Sequence, residues 1–204
     1  MFQISKIYSL LFNDFGRQEW WPADSPGEVI IGAVLTQNTS WLNVEKAITN
    51  LKGAELCSLE SISKVSIAGL RQYIRPAGFY NQKSRYLINI SRFFIEHYSE
   101  NTNTEQLREQ LLSVKGIGPE TADSILLYAL NRPVFVVDAY TRRMFSRHFS
   151  DFPEQYEDIR EVFEYHLKRD VSLYKEYHAL IVRCCKTYCR TKPLCGKCPI
   201  KGIY

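Results

Sequence analysis

A chain of 204 residues that is 45% hydrophobic and 24% charged is long enough to bury a core, which excludes a disordered or collagen-like polymer. No apolar run reaches the length that spans a bilayer. The opening MFQISKIYSLLFNDFG lacks the basic start and cleavage site of a secretory signal, so a cytoplasmic protein with no membrane partner is expected. The formal net charge of +4 permits a polyanionic partner without requiring one.

Apolar residues recur at helical spacing from the start: Ile7, Leu10, Leu11 and Phe15 first, then Leu87, Ile88, Ile90, Phe93 and Phe94, and later Ile125, Leu126 and Ala129. No strand alternation competes with this pattern. Breaks at Gly16, Pro22 to Gly27, Pro76-Ala77-Gly78, Gly116 to Pro119, Arg132-Pro133 and Asp151 to Pro153 divide the chain into about ten short helices. An all-α fold is predicted, without the fixed period of a solenoid.

Between the first two breaks stands Trp20-Trp21-Pro22, with the third tryptophan at Trp41. Adjacent tryptophans make poor helix surface. Core packing is their plainer reading, and a platform on which a displaced base stacks is the functional one. His97, His148, His166 and His178 show no metal spacing and read as solvated or core residues. Lys83-Ser84-Arg85 reads as an ordinary solvated face.

The most informative segment runs from Leu111 to Asp123, LLSVKGIGPETAD. A helix ends near Ser113, two glycines allow a tight turn, and Pro119 stands where a first helical position belongs. Outward amides of such a helix-hairpin-helix hold a phosphate without reading a base, and Gly116, Gly118 and Lys115 are the predicted contacts. An ordinary αα-corner with a glycine cap is the bland alternative, but it does not need glycines on both sides of an apolar residue. Downstream, the apolar run Pro133 to Val137 leads to Asp138, which opens the helix from Ala139. An N-cap role explains this aspartate, and a carboxylate that stabilises an oxocarbenium-like sugar is compatible with it. Arg142 and Arg143 read as an ordinary solvated face as well, and they follow Asp138 closely enough to contact a bound strand.

Hairpin and aspartate together resemble the helix-hairpin-helix, Gly/Pro-Asp DNA glycosylases in their endonuclease III branch, and the likeness extends over nearly the whole chain through Leu35-Thr36-Gln37-Asn38-Thr39 and Gly78-Phe79-Tyr80-Asn81-Gln82-Lys83. The resemblance implies that Gln37 fills the gap left by a flipped nucleotide and that Phe79 wedges into the opposite strand. It also implies Asp138 as the catalytic carboxylate. Bifunctional members hold a lysine nucleophile where this chain has Glu120, so a monofunctional enzyme without AP lyase activity is expected. WWP followed by LTQNT is similar to the MagIII-type 3-methyladenine DNA glycosylases, which implies an alkylated-purine pocket from Trp20, Trp21, Pro22 and Trp41.

Five of the six cysteines fall within residues 184 to 198, and without an export signal metal ligation is a better reading than disulfides. Cys57 stands alone and reads as a small buried hydrophobe. Endonuclease III relatives carry C-x6-C-x2-C-x5-C around a [4Fe-4S] cluster. This chain has five residues between Cys189 and Cys195, and Tyr204 where the last cysteine is expected. With Cys185 as the candidate fourth thiolate from the preceding helix end, the resemblance implies a cluster on Cys185, Cys189, Cys195 and Cys198, the fourth ligand staying open and zinc or no metal being the alternatives.

By the same resemblance, residues 22–132 form a helical barrel carrying the hairpin at about 105–130. Residues 1–21 and 133–204 form a second helical lobe with the Cys-rich loop, and an active site lies in the cleft between them. A monomeric base-excision glycosylase acting on damaged double-stranded DNA is expected. An endonuclease III-like glycosylase/AP lyase for oxidised or mismatched bases and a non-catalytic hairpin DNA-binding module are the alternatives.

Overall fold

The computed structural model describes residues 2–203, among which no strand forms and eleven α-helices do. They are α1 (Ile4–Phe15), α2 (Pro26–Thr36), α3 (Trp41–Gly53), α4 (Leu59–Lys64), α5 (Ile67–Ile74), α6 (Tyr80–Glu96), α7 (Thr104–Ser113), α8 (Pro119–Ser124), α9 (Ala139–His148), α10 (Tyr156–His166) and α11 (Val171–Thr187). A π-helical turn over Ile125–Ala129 continues α8. Glycine and proline breaks mark only some of the helix starts. Four others, at Ser58, Ser66, Asn103 and Asp170, are set by side chains that accept a hydrogen bond from the backbone N–H three residues on.

The chain divides into two compact units, Ala23–Leu130 and Met1–Pro22 with Asn131–Tyr204. Met1 and Tyr204, including the tyrosine at the expected cysteine position, lie outside the described residues.

The 23–130 unit is organised on α2. Its residues Glu28 to Leu35 are all buried, as a helix apolar on every side must be. It packs on α3, α6, α8 and the π-turn. Its buried Glu28 is compensated by Lys52 Nζ at 2.9 Å. Helices α7 and α8 flank the glycine turn and are tied by a two-pronged ion pair: Arg108 Nε and Nη2 donate to Asp123 Oδ1 and Oδ2 at 2.6 and 3.1 Å, and Asp123 is fully buried.

The other unit is organised on α11, against which α1 and α9 pack. Ile4, Ile7 and Leu11 of α1 are buried, and Tyr177 on α11 donates to the Ile4 carbonyl at 2.8 Å. An aromatic core surrounds this seam: Phe135 stacks on Phe163 at 4.1 Å, and Phe145 meets Phe163 edge-on at 4.8 Å. Each such ring contributes roughly 1.5–3 kcal/mol by burial.

Candidate functional site

In the α11 unit, the approach to Asp138 is a buried, extended segment. Glu164 Oε1 accepts from Phe135 N at 2.9 Å and the Tyr156 hydroxyl from Val137 N at 3.3 Å, so the strand-like backbone is held without a sheet. Asp138 is the N-cap of α9. Its Oδ1 accepts from Thr141 N at 2.7 Å and from Thr141 Oγ1 at 2.9 Å, while Oδ2 lies 3.4 Å from His178 Nε2. The cap is worth roughly 1 kcal/mol, and it occupies only one carboxylate oxygen. Asp138 is 8% exposed. Burial pushes its pKa up, but the hydrogen bond and charge of His178 and the two Thr141 bonds outweigh burial, so the carboxyl is held below its usual range and stays ionised.

Trp20 stacks on the other face of this arrangement: its ring lies 5.5 Å from the His178 ring at 22°, and Trp21, joined to it by a cis peptide bond, stacks on Trp20 at 5.7 Å and 17°. Both indoles are half-buried and Pro22 is exposed. A dry carboxylate, an imidazole and two indoles thus form one continuous array within the α11 unit.

In the 23–130 unit, the glycine turn is anchored from below. Gly116 has φ +100°, and a Cβ there meets the Tyr86 ring at 2.1 Å. Asn89 Nδ2 donates to the Lys115 carbonyl at 3.1 Å. Gly118 differs: its backbone is extended, it is exposed, and a Cβ meets nothing within 4 Å. Pro119 opens α8 and Glu120 follows in its first turn, where a carboxylate suits the positive helix end. Gln37 Nε2 donates to the Gly116 carbonyl and Thr121 Oγ1, both at 3.0 Å, which joins the end of α2 to the hairpin. Phe79 sits in the left-handed region at φ 46° ahead of α6 and is 62% exposed. Trp41 is half-buried and donates Nε1 to Glu45 Oε1 at 2.8 Å.

The predicted thiolate set does not converge. Cys184 Sγ pairs with Cys198 Sγ at 3.9 Å, Cys185 hydrogen-bonds Cys189, and Cys195 is exposed. Among the described residues no three His, Cys, Asp or Glu side chains gather around a common point. The reason is local: adjacent residues of a helix point about 100° apart, so Cys184 and Cys185 send their sulfurs to different partners. Its bond with Cys185 pulls the Cys189 thiol pKa down to about 5, against burial, with help from Arg147, whose Nη1 donates to Sγ at 3.2 Å. As placed, these residues do not form a four-thiolate cage.

Further readings need correction. Lys83 is not a solvated cation: it is 1% exposed, and its Nζ donates to the carbonyls of Leu35 at 2.8 Å and Ala77 at 2.7 Å, with Ser84 fully buried beside it. Arg142 and Arg143 are half-buried, with Arg142 bonded to the Glu154 carbonyl and Arg143 Nε to the Cys189 carbonyl at 2.9 Å. His178 is neither solvated nor a plain core residue but the link between Asp138 and Trp20, which its helical periodicity concealed. Cys57 is half-buried, not the buried hydrophobe expected.

Endonuclease III of Sulfolobus acidocaldarius is 30% identical over 175 residues, 84% of this chain and 78% of that protein. A Methanocaldococcus jannaschii protein with a provisional DNA repair glycosylase name is 52% identical over 209 residues, 97% of this chain and 94% of its own. Among solved structures, the H. pylori 3-methyladenine DNA glycosylase MagIII bound to 1,N6-ethenoadenine matches with a TM-score of 0.76 and 30% identity, covering 91% of this chain and 98% of that one. A non-covalent endonuclease III–DNA complex shares the fold at a TM-score of 0.83 and 20% identity, over 98% of this chain and 93% of that one. Residues 31–169 match the HhH-GPD superfamily of base excision DNA repair proteins, the family to which this chain belongs.

Proposed function

We propose that this chain is a monofunctional DNA glycosylase that turns an alkylated purine, 3-methyladenine, out of duplex DNA and hydrolyses its N-glycosidic bond with Asp138. The observation that carries this reading is the buried, ionised Asp138 beside His178 and the Trp20–Trp21 stack. A carboxylate preorganised in dry surroundings stabilises positive charge developing on the sugar as the C1′–N bond breaks, and orients the water that attacks C1′. The bond's electron pair leaves with the base, and the attacking water gives its proton to the Asp138 carboxylate, from which it returns to solvent. A purine methylated at N3 is already cationic and departs neutral, so leaving-group protonation is not demanded of the protein. Electron-rich indoles favour a cationic base by roughly 0.5–2 kcal/mol. Pro22 borders the same array.

Gln37 and Phe79 take the gap-filling and wedging roles, and Lys115, Gly116 and Gly118 hold a phosphate at the hairpin. Filling the gap requires Gln37 to release its bonds to Gly116 and Thr121. Glu120 supplies no amine, so no Schiff base with C1′ forms at that position. With the thiols paired two and two, no step is assigned to an iron–sulfur cluster.

The endonuclease III relatives support a second reading, a glycosylase with strand-cutting activity, in which Lys115 is the nucleophile. Base release from methylated duplex DNA, with and without hot alkali, decides between them. Release of 3-methyladenine by the wild type but not by Asp138→Asn, with strand breaks only after alkali, supports the proposal. Breaks without alkali support the second reading, and no release from any methylated duplex overturns the substrate assignment.

A further inference from the structure

Within the 23–130 unit, a cavity of roughly 590 Å³ lies between the start of α5, one face of α6 and the hairpin turn. Arg85, Arg92 and Lys115 line it, and no acidic residue does. Elsewhere Lys52 pairs with Asp24 and Glu28, Arg108 with Asp123, and Arg160 with Glu157 and Glu164. None of the three cavity cations forms an ion pair among the described residues. Like charges converging on one concavity repel unless an anion neutralises them.

Spacing identifies the anion as extended. Arg85, Asn89 and Arg92 stand at i, i+4 and i+7 on α6, one stripe along the helix. Asn89 holds the Lys115 carbonyl and Tyr86 packs beneath Gly116, so the stripe runs past the hairpin with Arg85 and Arg92 on either side of that contact. Arg85 and Arg92 lie about 10 Å apart along the axis, far enough to meet different phosphates of one DNA strand. Ile67, 39% exposed, and the Tyr86 ring give the wall an apolar surface suited to deoxyribose.

We propose that Arg85 and Arg92 form a second phosphate-binding strip, which carries one strand of undamaged duplex beyond the hairpin along α6. This rests on the DNA-binding part of the function proposed above, and not on the lesion or the chemistry.

The test is the salt dependence of affinity for an undamaged 24-base-pair duplex, measured for the full-length wild type, Arg85→Gln/Arg92→Gln and Arg85→Lys/Arg92→Lys, with inorganic phosphate titrated separately against thermal melting. The expected result is that the slope of log K against log[salt] becomes shallower by about 1.8 in the glutamine variant, at about 0.9 per phosphate, and returns in the lysine variant. Wild-type binding with an unchanged slope in the glutamine variant overturns the strip and leaves the glycosylase reading standing. A wild type without salt-dependent binding overturns both. Stabilisation by inorganic phosphate that needs the arginines, with no change of slope, makes the cavity a small-anion site and overturns the strip. Equal melting temperatures of the three proteins confirm that charge, not folding, was altered.

Discussion

Asp138 caps α9 with one oxygen and turns the other to His178, so the cap and the proposed reaction are separable. Asn retains a cap acceptor, so Asp138→Asn is expected to change stability at pH 7 by no more than about 1 kcal/mol, while base release falls by at least about 10²-fold. Melting curves and single-turnover release check the two halves. His178→Ala is expected to act differently. Burial pushes the carboxyl pKa up and the imidazole opposes it, so without the imidazole the acid limb of the pH–rate profile moves to higher pH. An unchanged limb would remove His178 from the role of holding Asp138 ionised. Linkage has the same sign: a carboxyl pKa lowered from 3.8 stabilises the fold above that value, and the contribution is lost as pH falls through the folded-state pKa. Asp138 was legible in the sequence because an apolar approach ends on it where a helix starts. His178 was not, since forty residues separate it from Asp138 and its place on α11 obeys the same periodicity as the core around it.

At the scale of elements, the hairpin's two glycines answer to different demands. Gly116 is required by the chain itself, through its positive φ and the Tyr86 ring. Gly116→Ala is expected to destabilise by at least about 1–2 kcal/mol from backbone strain alone. Gly118 has room for a Cβ and an ordinary φ, so Gly118→Ala is expected to leave melting within about 0.5 kcal/mol of wild type and weaken DNA affinity. Equal DNA affinity for Gly118→Ala would show that nothing approaches that backbone. The motif was visible in the sequence; which glycine served the fold was not, because that depends on Tyr86, thirty residues away. Lys83 extends the lesson. Its ammonium bridges the carbonyl ending α2 and the turn before Phe79, an acceptor pair made of backbone that no side-chain pattern reveals. Burial lowers its pKa from 10.5 to about 8. Between these values the unfolded chain binds the proton more, so this contribution to stability grows as pH rises from about 8 and diminishes as it falls. Lys83→Met is expected to lack that increment in denaturant melts across the window. In the tail, composition placed the cysteines, but adjacent helical residues diverging to Cys198 and Cys189 could only be seen in three dimensions.

For the whole molecule, the order of the chain distinguishes the two units. Residues 23–130 are continuous and carry their own core, including Val34, Leu35, Leu51, Leu70, Leu87, Leu111 and Ile125, each fully buried. Residues 131–204 lack α1, whose Ile4, Ile7 and Leu11 are buried and whose first carbonyl receives the Tyr177 hydroxyl. The 23–130 fragment is therefore expected to fold alone, with a helical spectrum and a cooperative melt, whereas 131–204 is expected to melt without cooperativity until joined to 1–22 by a linker. The fragment holds the hairpin and the basic strip but not Asp138, Trp20 or Trp21. It is expected to bind duplex DNA with a steep salt dependence and to release no base at any concentration. Base release by the 23–130 fragment would place the reaction on another carboxylate, and a cooperative melt of 131–204 alone would show that α1 is dispensable to the core it completes.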